Sequence, residues 1–214
     1  MVIDAETARK LSRYLLQIKA IQIQSANPFQ WASGWKSPIY CDNRKTLSHP
    51  KIRNFVKNEL AQVVVDQFKS TEVIAGVATG AIAVGALVAD LLDKPFIYVR
   101  SSSKGHGLGN QIEGDIQTGD KVLVIEDLVS TGMSSLNAVH ALKEAGMEVL
   151  GMASIFTYGF NLAQKNFSEA GCRLVSLADY ESMLQTALEE NYIQEGELAI
   201  LQNWREDPEN WPNK

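Results

Sequence analysis

Between Glu72 and Ser176 short apolar runs alternate with helix-length amphipathic stretches, and this alternation leaves few possible architectures. Strands are expected at Glu72 to Val77, Pro95 to Val99, Lys121 to Ile125, Glu148 to Phe156 and Arg173 to Ser176. Helical spacing occupies Ala81 to Leu92, Met133 to Ala145 and Asn161 to Ala170 between them. Strands joined through helices need right-handed crossovers, so the expected fold is α/β: a doubly wound, mainly parallel sheet with helices on both faces. Val122-Leu-Val-Ile125 has no polar member, as a strand covered on both sides should not. Ligands of such sheets bind at the carboxyl ends of strands, which directs attention to the residues after Gly76, Val99 and Ile125.

The rest of the chain frames this core. Leu11, Leu15 and Ile18 recur at helical spacing within Ala5 to Ile21. Asn27 to Arg44 carries Pro28, Gly34 and Pro38, which implies turns around short extended pieces. A second helix is expected over Pro50 to Phe68, entered through Ser48-His49-Pro50. Ser101 to Thr118 lacks an apolar period and is rich in Gly and Ser, so it reads as a long loop. Helices are expected at Tyr180 to Glu190 and near Glu195 to Trp204, and the polar tail beyond Asp207 as loose chain. His49 and His140 are assigned to a helix start and a helix surface.

Composition excludes several classes of function. The 214 residues suit one domain, expected to span 1–214. Net charge is −5 with no run of Lys and Arg, so no nucleic-acid footprint is present. Two cysteines, Cys41 and Cys172, exclude a disulfide scaffold and suit reduced thiols in the cytoplasm. The acidic N-terminus does not resemble a signal peptide. Val73 to Ala89 is uncharged and contains Gly76-x-x-x-Gly80, but it is short for a span and built from Ala, Gly and Val, and Asp90 and Asp93 lie just beyond it. No membrane partner is expected.

The chemistry concentrates in Val122-Leu-Val-Ile-Glu-Asp-Leu-Val-Ser-Thr-Gly-Met-Ser134. A buried strand delivers Glu126 and Asp127, whose carboxylates can accept from a sugar diol. Ser130, Thr131, Gly132 and Ser134 then open a helix, where backbone N–H groups suit a phosphate. Together they fit a ribose 5-phosphate. After the preceding strand, Arg100, Lys104 and His106 lie in a Gly-rich segment that reads as a lid over an anion. It is not a dinucleotide fingerprint, because the third glycine is misplaced and no helix follows. Gly76-Val-Ala-Thr-Gly-Ala81 is a tight strand-to-helix turn, suited equally to close packing and to binding.

The string from Glu126 to Ser134 resembles the phosphoribosyl pyrophosphate motif of type I phosphoribosyltransferases. The loop Arg100 to Gly114 resembles the catalytic loop of the orotate phosphoribosyltransferases. Phe29 to Arg44, with its Ser33-Gly34 and Ser37-Pro38, is similar to that family's hood, which implies that residues 1–45 form a hood over the base site. The resemblance covers about residues 8 to 205 and implies transfer of a phosphoribosyl group to orotate. It implies that Glu126 and Asp127 hold the ribose, that Leu128 and Val129 adjoin it, and that Ser130, Thr131, Gly132, Met133 and Ser134 wrap the 5-phosphate. Thr79, Gly80, Arg100, Lys104 and His106 would meet pyrophosphate; Lys104, His106 and Asp127 would be catalytic. Ser130, Tyr40 and Arg44 are the candidates for orotate. Mg²⁺ is implied as cofactor, carried mostly by substrate and water, with no protein metal ligand assigned. A homodimer is implied, in which loop 100–114 serves the neighbouring subunit.

This chain departs from the enteric branch at Ala32, Cys41, Ser101 and Tyr158, where that branch carries Lys, an aromatic ring, Lys and Arg. Gly80 stands where some members carry Lys. Two other readings remain: transfer to a different base such as a purine or uracil, and a non-catalytic regulator that binds phosphoribosyl pyrophosphate and controls transcription.

Overall fold

The computed structural model describes residues 2–31, 33–101 and 111–211. Its centre is a six-stranded sheet. In chain order the sheet strands are β5 (Val73–Val77), β6 (Phe96–Val99), β7 (Ile112–Glu113), β8 (Lys121–Val129), β9 (Glu148–Thr157) and β10 (Leu174–Asp179). They lie side by side as β10-β9-β8-β5-β6-β7, all parallel except β7. The helices are α1 (Ala5–Gln17), α2 (Pro50–Gln67), α3 (Ile82–Leu91), α4 (Met133–Glu144), α5 (Asn161–Glu169), α6 (Tyr180–Glu189) and α7 (Glu195–Glu206).

The strand order fixes where a ligand can sit. From β5 the chain steps through α3 to β6, and from β8 it steps the opposite way through α4 to β9. Two right-handed crossovers in opposite directions place α3 and α4 on opposite faces. Helix α2 packs on α3, and α5 packs on α4. The order reverses between β5 and β8, where Gly76 pairs with Ile125. A crevice therefore opens beyond the carboxyl ends of these two strands. Val122, Leu123, Val124 and Ile125 are fully buried, as a doubly covered strand requires.

Four boundaries differ from the sequence expectation. The first helix stops at Gln17, and Ile21 belongs to a strand, β1 (Ile21–Ile23). There it pairs with Cys41 of β4 (Ile39–Cys41), so its burial reflects a hairpin rather than a helical face. Strand β8 continues four residues past Ile125, carrying the acidic pair inside the sheet, with Glu126 beside Ser154. The last strand extends from Leu174 to Asp179 instead of ending at Ser176. The loop after Arg100 contains β7, paired antiparallel with β6. The tail is partly anchored, because Trp211 packs against the core.

The N-terminal segment forms two small antiparallel pairs, β1 with β4, and β2 (Phe29–Gln30) with β3 (Lys36–Ser37). An aromatic cluster fastens them to the body. Trp204 of α7 is fully buried, donates from Nε1 to the Lys36 carbonyl at 3.2 Å, and meets the Trp31 ring at 5.6 Å.

Candidate active site

The crevice has a floor, two walls and a cleft beside it. The floor is the end of β8. Glu126 is buried, and both its carboxyl oxygens are engaged: Oε2 accepts from Ser135 Oγ at 2.8 Å and Oε1 from the Asp127 amide at 2.9 Å. Burial, and next the neighbouring Asp127 charge, push the Glu126 carboxyl well above the ordinary carboxylate range. Asp127 is partly exposed. The acidic pair thus divides into an inner group tied to the protein and an outer one that faces the crevice.

The wall across from Asp127 is the turn after β5. A side chain at Gly76 would press its Cβ against the Ala81 carbonyl at 2.7 Å, so only glycine lets the chain turn here. At Gly80 a Cβ would overlap the Asp127 carboxylate. The turn after β5 and the outer acid are therefore in direct contact, and a side chain at position 80 would displace the Asp127 carboxylate. Thr79 beside it is exposed.

The other wall is the segment from Ser130 to Ser134, which opens α4. Gly132 sits before the helix with φ +80°, in the left-handed region, and a Cβ there would lie 2.7 Å from the Phe167 ring. Asn166 of α5 donates from Nδ2 to the Thr131 carbonyl at 2.9 Å. Met133 and Ser134 are exposed, so the first turn of α4 is open to an anion.

Beside this crevice lies a cleft of about 320 Å³ lined by Gln30, Trp31, Tyr40, Cys41, Leu128, Ser130 and Tyr158. It is small, partly aromatic, and shares Leu128 and Ser130 with the β8 end. A somewhat larger cleft, about 400 Å³, lies between the starts of α1 and α6 beside Arg9, Asp179 and Glu181. That one adjoins β10, two strands away from β8.

A family model described as the phosphoribosyl transferase domain matches residues 43–190. The orotate phosphoribosyltransferase of Phocaeicola vulgatus is 57% identical over 207 residues, covering 96% of this chain and 98% of that one. That of Listeria monocytogenes is 51% identical over 95% of this chain and 97% of its own. The chain belongs to the orotate phosphoribosyltransferase family. A crystal structure of the Aeropyrum pernix orotate phosphoribosyltransferase, 29% identical, superposes with a TM-score of 0.75 over 86% of this chain and 99% of that one. The doubly wound sheet is thus the family's fold.

Within this family member the expected site residues separate by position. Glu126, Asp127, Leu128, Val129, Ser130, Thr131 and Gly132 follow one another along the crevice, with Thr79 and Gly80 opposite. Tyr40 and Ser130 share the adjoining cleft. Arg100 stands at the end of β6, where Nη1 pairs with Glu113 at 3.5 Å. Its amide donates to Gln111, and Gln111 Nε2 returns a bond to the Arg100 carbonyl, which closes the stem of the loop. Arg44 does not line the cleft; its Nε is bonded to Asp42 at 2.7 Å, and Asp127 and Tyr40 lie within electrostatic reach of it. Lys104 and His106 lie outside the described residues.

Sequence reasoning missed Asn43 and Asn166. Asn43 Nδ2 donates to the Asp127 carbonyl at 2.6 Å, and Asn43 Oδ1 accepts from the Cys41 thiol at 3.3 Å. Burial, with the nearby Asp127 and Asp42 charges, pushes that thiol well up, so it keeps the proton it donates. An asparagine in a turn normally bonds its own backbone, and nothing in the local sequence distinguishes one that reaches a strand 84 residues away.

Proposed function

We propose that this chain transfers the 5-phosphoribosyl group of phosphoribosyl pyrophosphate to orotate, giving orotidine 5′-monophosphate and pyrophosphate in pyrimidine nucleotide biosynthesis. The observation that carries this reading is the order of surfaces along one strand end. An anion-binding helix start, an outward carboxylate and a base-sized cleft follow one another from Ser134 back to Leu128 and Tyr40.

In this reading Ser130 to Ser134 hold the 5-phosphate through backbone N–H groups and hydroxyls. Asp127 accepts from the ribose hydroxyls and stabilises positive charge that develops on the sugar as pyrophosphate leaves. Glu126, fixed by Ser135, holds the strand end that presents Asp127. The turn at Thr79 and Gly80 offers backbone groups to pyrophosphate. Arg100, Lys104 and His106 supply cationic charge to the leaving group, and Lys104 or His106 can protonate it. Tyr40, Ser130 and the cleft around them receive orotate, with Arg44 at its edge; residues 1–45 act as the hood over it.

Among the described residues no three His, Cys, Asp or Glu side chains converge as a metal cage. Mg²⁺ keeps much of its water and binds substrate phosphates, so it needs few protein ligands. Asp127 is the carboxylate open to such an ion. When bound, the ion neutralises charge on the pyrophosphate. No described helix is long and apolar enough to cross a membrane. The enzyme works in the cytoplasm as a homodimer, each subunit lending loop 100–114 to its partner.

The test is turnover of the purified protein with phosphoribosyl pyrophosphate and Mg²⁺ against orotate, uracil, adenine and hypoxanthine. Orotate alone should be consumed. Turnover of a purine or uracil without orotate would overturn the substrate assignment. Binding of phosphoribosyl pyrophosphate without turnover of any base would favour the regulator.

A further inference from the structure

The cleft beside Ser130 contains a buried phenol whose hydroxyl the fold itself leaves unused. Tyr158 follows β9 and is 1% exposed. Its ring is held on several sides: stacked on Phe160 at 5.4 Å and 9°, and meeting Trp31 at 5.0 Å, Phe156 and Trp204 at 5.6 Å and Tyr180 at 6.2 Å. That much contact fixes the direction of the phenol. Yet the hydroxyl makes no hydrogen bond with any described residue. Tyr180, its neighbour in the same cluster, bonds the Leu201 carbonyl at 3.1 Å. Among the described residues the one side-chain polar atom that is both sealed and unpartnered is Ser12 Oγ, so the Tyr158 hydroxyl is not sealed. Tyr158 lines the cleft, and the groups that act on its hydroxyl electrostatically include Cys41 and Tyr40 from the same lining.

A hydroxyl open to a cleft loses its water when a ligand fills the cleft, so a ligand that supplies an acceptor is favoured over one that leaves the hydroxyl unpaired. Among the described residues the cleft's lining contains no Lys, Arg, His, Asp or Glu. A base with oxygens on its edge must therefore be read there by neutral donors. A neutral phenol can supply one, whether the acceptor is a ring carbonyl or a carboxylate.

We propose that Tyr158 is a specificity-determining residue, its hydroxyl donating to an oxygen of the pyrimidine bound between the hood and Ser130. This rests on the reading of the cleft as the orotate site. The ring provides the rigid wall and the hydroxyl provides the selection. A base that lacks an acceptor at this point leaves the hydroxyl unpaired and is disfavoured.

The test is Tyr158→Phe, which keeps the ring and removes the oxygen. KM for orotate should rise about tenfold, the loss expected of one hydrogen bond to a charged or strongly polar acceptor. KM for phosphoribosyl pyrophosphate should not move. The melting temperature should be unchanged, because the hydroxyl bonds no described group of the fold. An unchanged KM for orotate would overturn the proposal, as would equal rises in both KM values or a lowered melting temperature, which would mark a structural hydroxyl. The wild-type protein separates the two levels of the argument. If it does not consume orotate, the functional reading fails; if it does and Tyr158→Phe matches it, only this inference fails.

Discussion

The side-chain amide of Asn43, in the turn after β4, donates to the backbone carbonyl of Asp127 at 2.6 Å. This bond ties the segment after β4 to the strand end that carries the outer carboxylate. On the other side Asn166 holds the Thr131 carbonyl at 2.9 Å. The segment from Asp127 to Thr131 is thereby clamped at both ends by amides from outside the sheet.

Removing either clamp should loosen the segment without dismantling the fold. Asn43→Ala leaves a buried carbonyl unpaired, a penalty of about 1–3 kcal/mol. kcat/KM for phosphoribosyl pyrophosphate should fall about tenfold or more, with a drop of a few degrees in melting temperature. Steady-state kinetics with saturating orotate checks this. Wild-type kinetics would show that the Asn43 bond does not position Asp127.

Gly80→Ala probes the contact between the β5 turn and Asp127. The added Cβ overlaps the carboxylate, and the cheapest relief is rotation of Asp127 away from the crevice. Activity should drop on the order of 10²-fold, as expected when one preorganised electrostatic group is displaced. The melting temperature should change little, since the Asp127 side chain is free to swing toward solvent. An active Gly80→Ala enzyme would mean that the turn and Asp127 do not act together.

Much of this was legible in the sequence because it follows from pattern. The strand–helix alternation located the sheet and narrowed the site to three strand ends, and the string from Glu126 to Ser134 marked one of them. Two kinds of information were not local. The length of β8 depends on β9 lying alongside it: Val129 pairs with Thr157, and no period in Glu126 to Val129 announces that. Asn43 and Asn166 act on backbone carbonyls far along the chain, and a carbonyl leaves no trace in its residue's identity. The acidic pair looked symmetric in sequence; only burial, through Ser135 and the Asp127 amide, separates its members.

The raised Glu126 carboxyl makes a pH prediction. Its ordinary value is 4.5 and its folded value lies well above that. Its contribution to stability is therefore complete below about 4.5 and is lost as pH rises toward the folded value. Glu126→Gln carries no charge to lose. Thermal melts should show the variant close to wild type near pH 4 and gaining on it by about pH 8. Parallel curves would show that Glu126 titrates normally despite its burial.

The lid is predicted to act between subunits. Lys104→Ala removes a lid cation, and Asp127→Asn spoils the ribose site; each homodimer should be nearly inactive. In a mixed dimer one site inherits both defects and the other neither, so subunit exchange should restore up to about half of wild-type activity per heterodimer. Heterodimers that remain inactive would place each lid over its own subunit.

The most direct measurement is the rate of orotate loss, followed by its absorbance, for Asp127→Asn beside wild type with phosphoribosyl pyrophosphate and Mg²⁺. The account predicts consumption of orotate by the wild type and a fall in kcat on the order of 10²-fold in a variant that melts like the wild type. A correctly folded Asp127→Asn enzyme with unchanged kcat would contradict the placement of the reaction at the end of β8.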